Sequence, residues 1–453
     1  MAEVVIIMMW WDERGARLGS WNGKAMEPAM EEEEKTSPGR KVAIIDLDCE
    51  YTRQAVLGCF RRDKDRRWRT LVKPTTGDST IKKGSHDYDD DLDDEVGACL
   101  YWGEYERVDW EAVGMGRIAA NCYCIRKGLI RKAQLALAVH KWRSKRPDSL
   151  LAKRVPETHV FELYDIEYFD EVLIADVPEL REMSPGEAWI LKPNITNQAL
   201  GVRVFDDLGT LRQILSSEEA WNLREWVVQR YVDRPLLVDG RKFHVRTYVL
   251  AVGAAPMRVL VYDQMLALFA ADAYPAAGEG GRPRDISNLD AHLTNTCRIT
   301  RQKLGGGMTP EEEAKHVRLL DEISGELGGP AGLRRVKDEI GELVAECLDA
   351  VSSDLSFMPM ANCFELFGFD FLVDRDGGAW LLEANAEPDL VQSGRRLGEV
   401  IEEMVAGVYV EAVVPLTAAE EEEEGWEETK TTQWKQVLQK TFAGSQAMGF
   451  HIG

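Results

Sequence analysis

Two short segments toward the C-terminal end of this 453-residue chain carry acids at a spacing that could hold a metal ion. Between residues 364–374 (FELFGFDFLVD) and 379–387 (AWLLEANAE) stands Asp376-Gly377, the composition preferred in a two-residue hairpin turn. Such a turn pairs Arg375 with Gly378, sets Asp370 directly opposite Glu383, and sets Asn385 opposite Gly368. Two acids directly opposite across a ladder, with β-carbons about 4.5–5.5 Å apart, repel unless a cation lies between them. Two carboxylates and an amide oxygen are hard ligands suited to Mg2+, with substrate phosphates completing its shell. The alternative is a row of exposed polar positions on a half-solvated sheet, against which Trp380, Leu381 and Leu382 argue.

Lys242, His244 and Arg246 alternate with Phe243, Val245 and Thr247, so a strand here presents three potential cations on one face. Cations at period two suit phosphate oxygens, Lys as a point charge and Arg as a fork. A solvated sheet face would look the same. Lys192 interrupts the apolar run 189–191 ahead of a polar loop, a position from which a lysine can hold nucleotide phosphates. The strand at 227–231 could pair its backbone with an adenine edge.

The elements that must position these residues are mixed. VAIIDLD (42–48) has a buried-strand pattern and 51–61 has helical spacing, which opens an α/β unit; 74–94 is a Gly/Ser/Asp-rich loop. One helix is expected over 126–145, with Leu129, Ala133, Leu135, Ala136, Val139 and Trp142 as its apolar stripe. Strands follow at 189–193, 202–205, 226–232, 241–252 and 257–263. A helical region at 310–354 precedes the acidic hairpin, and helix resumes over 394–413. The expected organisation is a flexible arm (1–40), an α/β N-terminal domain with the basic helix (41–155), subdomains at 156–240 and 241–416, and an acidic tail (417–453).

The formal charge is −23, with 78 acids against 55 bases, which argues against direct nucleic-acid binding. Eighteen of the acids lie in three runs, 31–34, 87–95 and 420–428, of the kind that is ordinarily solvated. Residues 126–154 are the opposite, with ten Lys or Arg and one acid, Asp148. The eight cysteines contain no CxxC pair and read as reduced thiols. The apolar stretch 4–11 is too short to span a bilayer, so no membrane association and a cytoplasmic location are expected.

WILKP (189–193), VVQRYVDRPLLVDGRKFHVRTYVL (227–250), HLTN (292–295), CFELFGFDFLVD (363–374) and WLLEANAEPD (380–389) together resemble the ordered motifs of the tubulin tyrosine ligase family, whose members have the ATP-grasp fold. The resemblance covers about 126–415 and is similar to divergent, fungal-type members. It implies an α/β ATP-grasp architecture, with ATP held between the two subdomains. Lys192 and Lys242 would bind phosphates; Gln229, Arg230 and Tyr231 would border the adenine, and Asn295 would complete the nucleotide site. Arg246 would serve the phosphate or acyl-phosphate region, with Lys242 and Glu383 beside it in catalysis. Asp370, Glu383 and Asn385 would ligate Mg2+. IRKAQL (130–135) resembles the family's N-domain element and would bring Arg131 and Lys132 to the mouth, facing nucleotide or an acidic protein tail.

The activity so implied is ATP-dependent addition of a free amino acid, with tyrosine as candidate, to the acidic C-terminus of a protein such as α-tubulin, through an acyl phosphate. Nothing in that route needs a protein nucleophile, and a monomer is expected. Four positions depart from the family pattern. His244 replaces an Asp, the loop after Lys192 holds one glycine (Gly201), Ala267 falls where a substrate-binding Arg would stand, and Glu387 replaces a small residue. These leave two alternatives, an inactive ATP-binding scaffold, as in relatives associated with RNA-processing bodies, or a ligase for a non-tubulin acceptor. The acidic run 420–428 could fold back into the positive groove as an autoinhibitor.

Overall fold

The computed structural model describes residues 41–63, 68–73, 98–184, 187–195, 200–220, 223–275, 285–294, 309–352, 356–418 and 432–441. The expected arm at 1–40, the loop at 74–94, the three acidic runs and Asn295 lie outside them. The unbroken Val-Ala-Ile-Ile run forms β1 (Val42–Asp46), buried on both faces as a central parallel strand must be. With β2 (Arg69–Val72), β3 (Ala98–Gly103) and β4 (Ala119–Ala120) it makes a parallel sheet in the order β2-β1-β3-β4. A second, antiparallel sheet contains β5 (Thr158–Glu162), β6 (Trp189–Pro193), β7 (Arg203–Phe205) and β8 (Glu225–Arg230), in the order β5-β8-β6-β7. Phe161, Trp189, Phe205, Leu211 and Trp226 fill its core.

The third sheet holds β9 (Leu237–Val238), β10 (Arg241–Val252), β11 (Met257–Tyr262), β12 (Leu266–Phe269), β13 (Val317–Leu319), β14 (Phe364–Val373), β15 (Ala379–Ala386) and β16 (Trp434–Lys440). Its spine is β10, which pairs antiparallel with β9, β11, β12 and β14. The period-two pattern divides β10 as expected. Phe243, Val245, Val249 and Ala251 share a core with Ile340, Leu343 and Val344 of the long helix Gly329–Ser352. Tyr248, Leu250 and Val252 share another with Met404 and Val405 of helix Gly398–Val408 and with Ile45 and Leu100 of the first sheet. Arg40–Gly453 consequently cluster as one unit.

Three expectations need correction. The helix over 126–145 is two helices, Lys127–Ile130 and Lys132–Lys145, parted by Arg131 with extended backbone (φ −90°, ψ 126°). The break lets the Asn194 side chain accept the Ala133 N–H at 2.8 Å, and it puts Lys132 at the start of the second helix. Residues 310–354 are interrupted by β13, because Val317 and Leu319 find partners in β12. The segment expected as an acidic tail from 417 onward contains β16, which adds antiparallel to β11.

Trp434 anchors that strand. It is buried, packs at 5.2 Å from the Tyr262 ring, donates from Nε1 to Met404 O at 3.3 Å, and lies over Gly407, where no Cβ would fit. No helix among the described residues is long and apolar enough to cross a membrane. Trp434→Ala is expected to destabilise the fold by about 3 kcal/mol, the cost of emptying a buried indole site. Denaturant unfolding measures this, and a solvated tail would show no change.

Candidate functional site

β14 and β15 set Asp370 opposite Glu383 and Gly368 opposite Asn385, as expected, but by another route. The turn has three residues, 375–377, closed by the Gly378 N–H donating to Asp374 Oδ1 at 2.8 Å and by the Asp374 N–H donating to Gly378 O at 2.9 Å, with Gly377 at φ +77°. Next to it Val373 pairs with Ala379 rather than with Trp380, one residue off the expected register. An irregularity between Asp370 and Phe371, where Leu382 is left unpaired, restores the register at the acids.

The cation needed between the carboxylates is in part supplied by the chain. Arg246 lies across from Asp370 and donates to it from Nε at 2.6 Å and Nη2 at 3.2 Å. Gly368 makes this possible, since a Cβ there would stand 3.2 Å from Arg246 Cδ. Lys132 Nζ lies 3.7 Å from Glu383 Oε2. Asn385 Nδ2 reaches Asp370 Oδ2 at 3.3 Å and Glu383 Oε1 at 3.5 Å. Burial alone would raise the Glu383 pKa, but Lys132, Lys192, Asn385 and Arg246 together hold it below the ordinary carboxylate range. Asp370, Glu383 and, after a half turn of its amide, the Asn385 oxygen fit the donor set of Mg2+.

The strand face of Lys242, His244 and Arg246 is buried, which excludes the solvated alternative. Lys242 Nζ donates to Tyr231 Oη at 2.9 Å, and Tyr231 Oη lies 2.8 Å from His292 Nδ1. His292 Nε2 lies 2.7 Å from the Asp285 carbonyl, which can only accept, so Nδ1 receives the Tyr231 proton. Burial, with help from Lys192, lowers the Lys242 pKa to about 7. Lys192 is lowered too, chiefly by burial, and donates to Gln229 Oε1 at 2.9 Å; Gln229 in turn donates to Thr158 Oγ1 at 3.0 Å. Burial lowers the His244 pKa to about 4, so the ring is neutral. Its Nδ1 lies 2.6 Å from Thr294 Oγ1, and its Nε2 finds no hydrogen-bond partner among the described residues, standing 3.6 Å from Asp370 Oδ1.

Lys132, Arg246, Asp370, Glu383 and Asn385 line one open cleft of about 720 Å3. Lys132 and Glu383 also border a small, partly open cavity of about 20 Å3 that reaches Lys192 and Gln229. Arg230 is not brought to this group: it pairs with Glu157 at 2.9 Å and with Glu187, and stacks over Trp189. Ala267 faces the core shared with Val245, on the side of the sheet away from Arg246. The positive stretch 126–154 is largely neutralised, with Arg126 on Glu365 and Glu387, Arg146 on Asp349, and Arg154 on Glu339 and Asp374. Lys127 and Arg131 remain exposed at the cleft. Sequence reasoning missed Thr158 and Asn194, and it quoted His292 and Thr294 only within the motif HLTN without a role for either, since these roles depend on contacts between distant segments. Glu365 carried a signal, being an acid on the strand face otherwise made of Phe367, Phe369 and Phe371.

Comparison with known proteins adds to this geometry. The model of the tubulin-tyrosine ligase family matches residues 131–422. A probable tubulin–tyrosine ligase of Schizosaccharomyces pombe is 32% identical over 360 residues, covering 70% of this chain and 83% of that protein. The probable tubulin–tyrosine ligase PBY1 of Saccharomyces cerevisiae is 31% identical over 357 residues, covering 70% of this chain and 46% of its own length. The chain thus spans about half of that second relative. Among solved structures, the C-terminal domain of K. lactis Pby1, described as an ATP-grasp enzyme interacting with the mRNA decapping enzyme Dcp2, superposes with a TM-score of 0.62 at 29% identity, covering 89% of this chain and 100% of that one.

His244 carries a prediction of its own. An aspartate in its place would add an anion beside Asp370 in a buried site. His244→Asp is expected to lower stability by about 3 kcal/mol in metal-free buffer, and the neutral His244→Gln by clearly less. Thermal unfolding of the two variants measures the difference.

Proposed function

The chain belongs to the tubulin-tyrosine ligase family and has the ATP-grasp fold, and on that premise we propose that it is an ATP- and Mg2+-dependent ligase joining a free amino acid to a carboxylate of an acidic protein. The observation that carries the reading is the convergence of Arg246, Lys132 and the opposed pair Asp370 and Glu383 on one cleft, with Lys192 and Lys242 buried behind them. The acceptor carboxylate attacks the γ-phosphorus of ATP, giving an acyl phosphate and ADP. The amine of the amino acid then attacks the acyl carbon, and inorganic phosphate leaves. Mg2+ held by Asp370, Glu383 and Asn385 would neutralise phosphate charge. The chain itself positions and neutralises: Lys192 and Lys242 hold phosphates, and Arg246 stands where charge develops. Arg246 is suited to this, for although burial opposes its charge, Asp370 raises its pKa further. The cavity between Lys192 and Glu383 has room for about one water.

Lys127 and Arg131 at the cleft supply the attraction for an acidic acceptor. The names of the relatives support tubulin and tyrosine as first candidates. The partner stated for the K. lactis protein supports a search beyond tubulin. The test is incubation with Mg-ATP and amino acids, with tubulin in one arm and cell lysate in the other, reading incorporation and ADP release. ATP binding with neither product overturns the ligase reading.

Two outcomes follow for the core. Glu383→Gln is expected to reduce Mg2+-dependent turnover by about a hundredfold or more while the melting profile stays close to that of the parent; retained turnover refutes the assignment. Lys242 has a free-state pKa of about 7, and bound phosphate favours its charged form, so above that pH nucleotide binding takes up a proton. Affinity for ATP should fall between about pH 7.5 and about pH 9, by up to about tenfold per unit. Calorimetry in buffers of different ionisation enthalpy reads the proton directly, and Lys242→Met should remove the uptake.

A further inference from the structure

The same cleft is lined by Tyr105, Arg126 and Glu387, which the phosphate and metal chemistry leaves unused. Arg126 is a built residue. One terminal nitrogen bonds buried Glu365, the other donates to Glu387 Oε1 at 2.8 Å, and its guanidinium carbon lies 4.0 Å from the centre of the Tyr105 ring. Glu365 is fixed in turn, accepting the Tyr123 N–H at 3.0 Å. Burial pushes the Glu365 pKa up to about 7 even beside Arg126, so the buried carboxylate holds the guanidinium in place while Glu387 is its exposed second partner.

Glu387 is placed differently. Its side chain is 45% exposed, against 9% for Arg126 and 2% for Glu365. It reaches the guanidinium from a left-handed backbone (φ +50°), which a non-glycine residue adopts at a cost. A solvated carboxylate turned back onto a buried arginine in a cleft wall is a ligand that another carboxylate can displace.

The pair offers one cation and one anion in contact, and the head group of a free α-amino acid carries the same two charges on one carbon. We propose that Arg126 and Glu387 form the subsite for this zwitterionic head group, the α-carboxylate taking Arg126 and the α-ammonium taking Glu387. Glu365 and Tyr105 are positioning residues that hold the guanidinium in place. The location rests on the ligase reading: Glu387 follows Asn385 by two residues, which keeps the amine near the proposed metal ligands. Such a subsite reads the head group and leaves the side chain to other walls of the cleft. It admits α-amino acids as a class and refuses amines that lack the carboxylate.

Titration calorimetry on the full chain, with Mg2+ and a non-hydrolysable ATP analogue present, tests the assignment. Glycine, glutamate and tyrosine are the probes, with methylamine, γ-aminobutyrate and tyramine as their counterparts lacking the α-carboxylate. At least one amino acid should bind, and its counterpart should bind at least about tenfold more weakly, the factor carried by one lost charge-assisted hydrogen bond. Glu387→Gln and Arg126→Lys should each weaken that amino acid by about tenfold, with affinity for the nucleotide analogue unchanged. Glu387→Gln alters an exposed side chain, so it decides the matter even if Arg126→Lys fails to fold. The proposal is overturned if none of the three amino acids binds, if the amines bind as well, or if Glu387→Gln binds as the parent does. Binding without ATP-dependent incorporation keeps the subsite and overturns the ligase reading. Incorporation undiminished in both variants does the reverse.

Discussion

A guanidinium buried on a strand needs a carboxylate across the ladder, and the Arg246–Asp370 pair is the constraint around which the third sheet and its site are arranged. The pair fixes the register of β10 against β14. Gly368 leaves the space through which Arg246 reaches, and Glu383 and Asn385 then stand next in line on β15. A one-residue slip between β10 and β14 would carry Arg246 away from its partner and bury an unpaired charge. Stability and ligand chemistry thus impose the same register.

Much of this was legible in the sequence because period-two alternation is a local property. The division of β10 into a cationic and an apolar face, and the pairing of Asp370 with Glu383, could be read from spacing. The hairpin shows how such a reading succeeds for an incomplete reason. The Asp-Gly rule gives a two-residue turn and a regular ladder; the molecule has a three-residue turn and an unpaired Leu382, and the two deviations cancel at the acids. The longer turn is held locally, by Asp376 and Gly378 N–H donating to Asp374 Oδ1 at 2.9 and 2.8 Å, and tertiarily, by Trp380 Nε1 donating to Asp374 at 2.7 Å and Arg154 pairing with it at 3.2 Å. The contact with Arg154 joins segments 220 residues apart, which no local rule contains.

The remainder was illegible for a similar reason. Charge counted along the chain made 126–154 a positive field, but charge acts through space, and acids from 339, 349, 365, 374 and 387 cancel much of it. Helical spacing ran on through Arg131 because nothing nearby in sequence announces that Asn194 caps the second helix. Ala267 falls in sequence where a substrate-binding Arg would stand, and only the pairing of β10 with β12 shows that this position faces the core.

The strand β16 bears on what the acidic run can be. Residues 420–428 lie between helix Val414–Leu416 and Trp434, both fixed in the fold, so the run is tethered at both ends. A tethered segment has no terminal α-carboxylate. An internal run of glutamates offers side-chain carboxylates alone and cannot imitate the free end of a polypeptide.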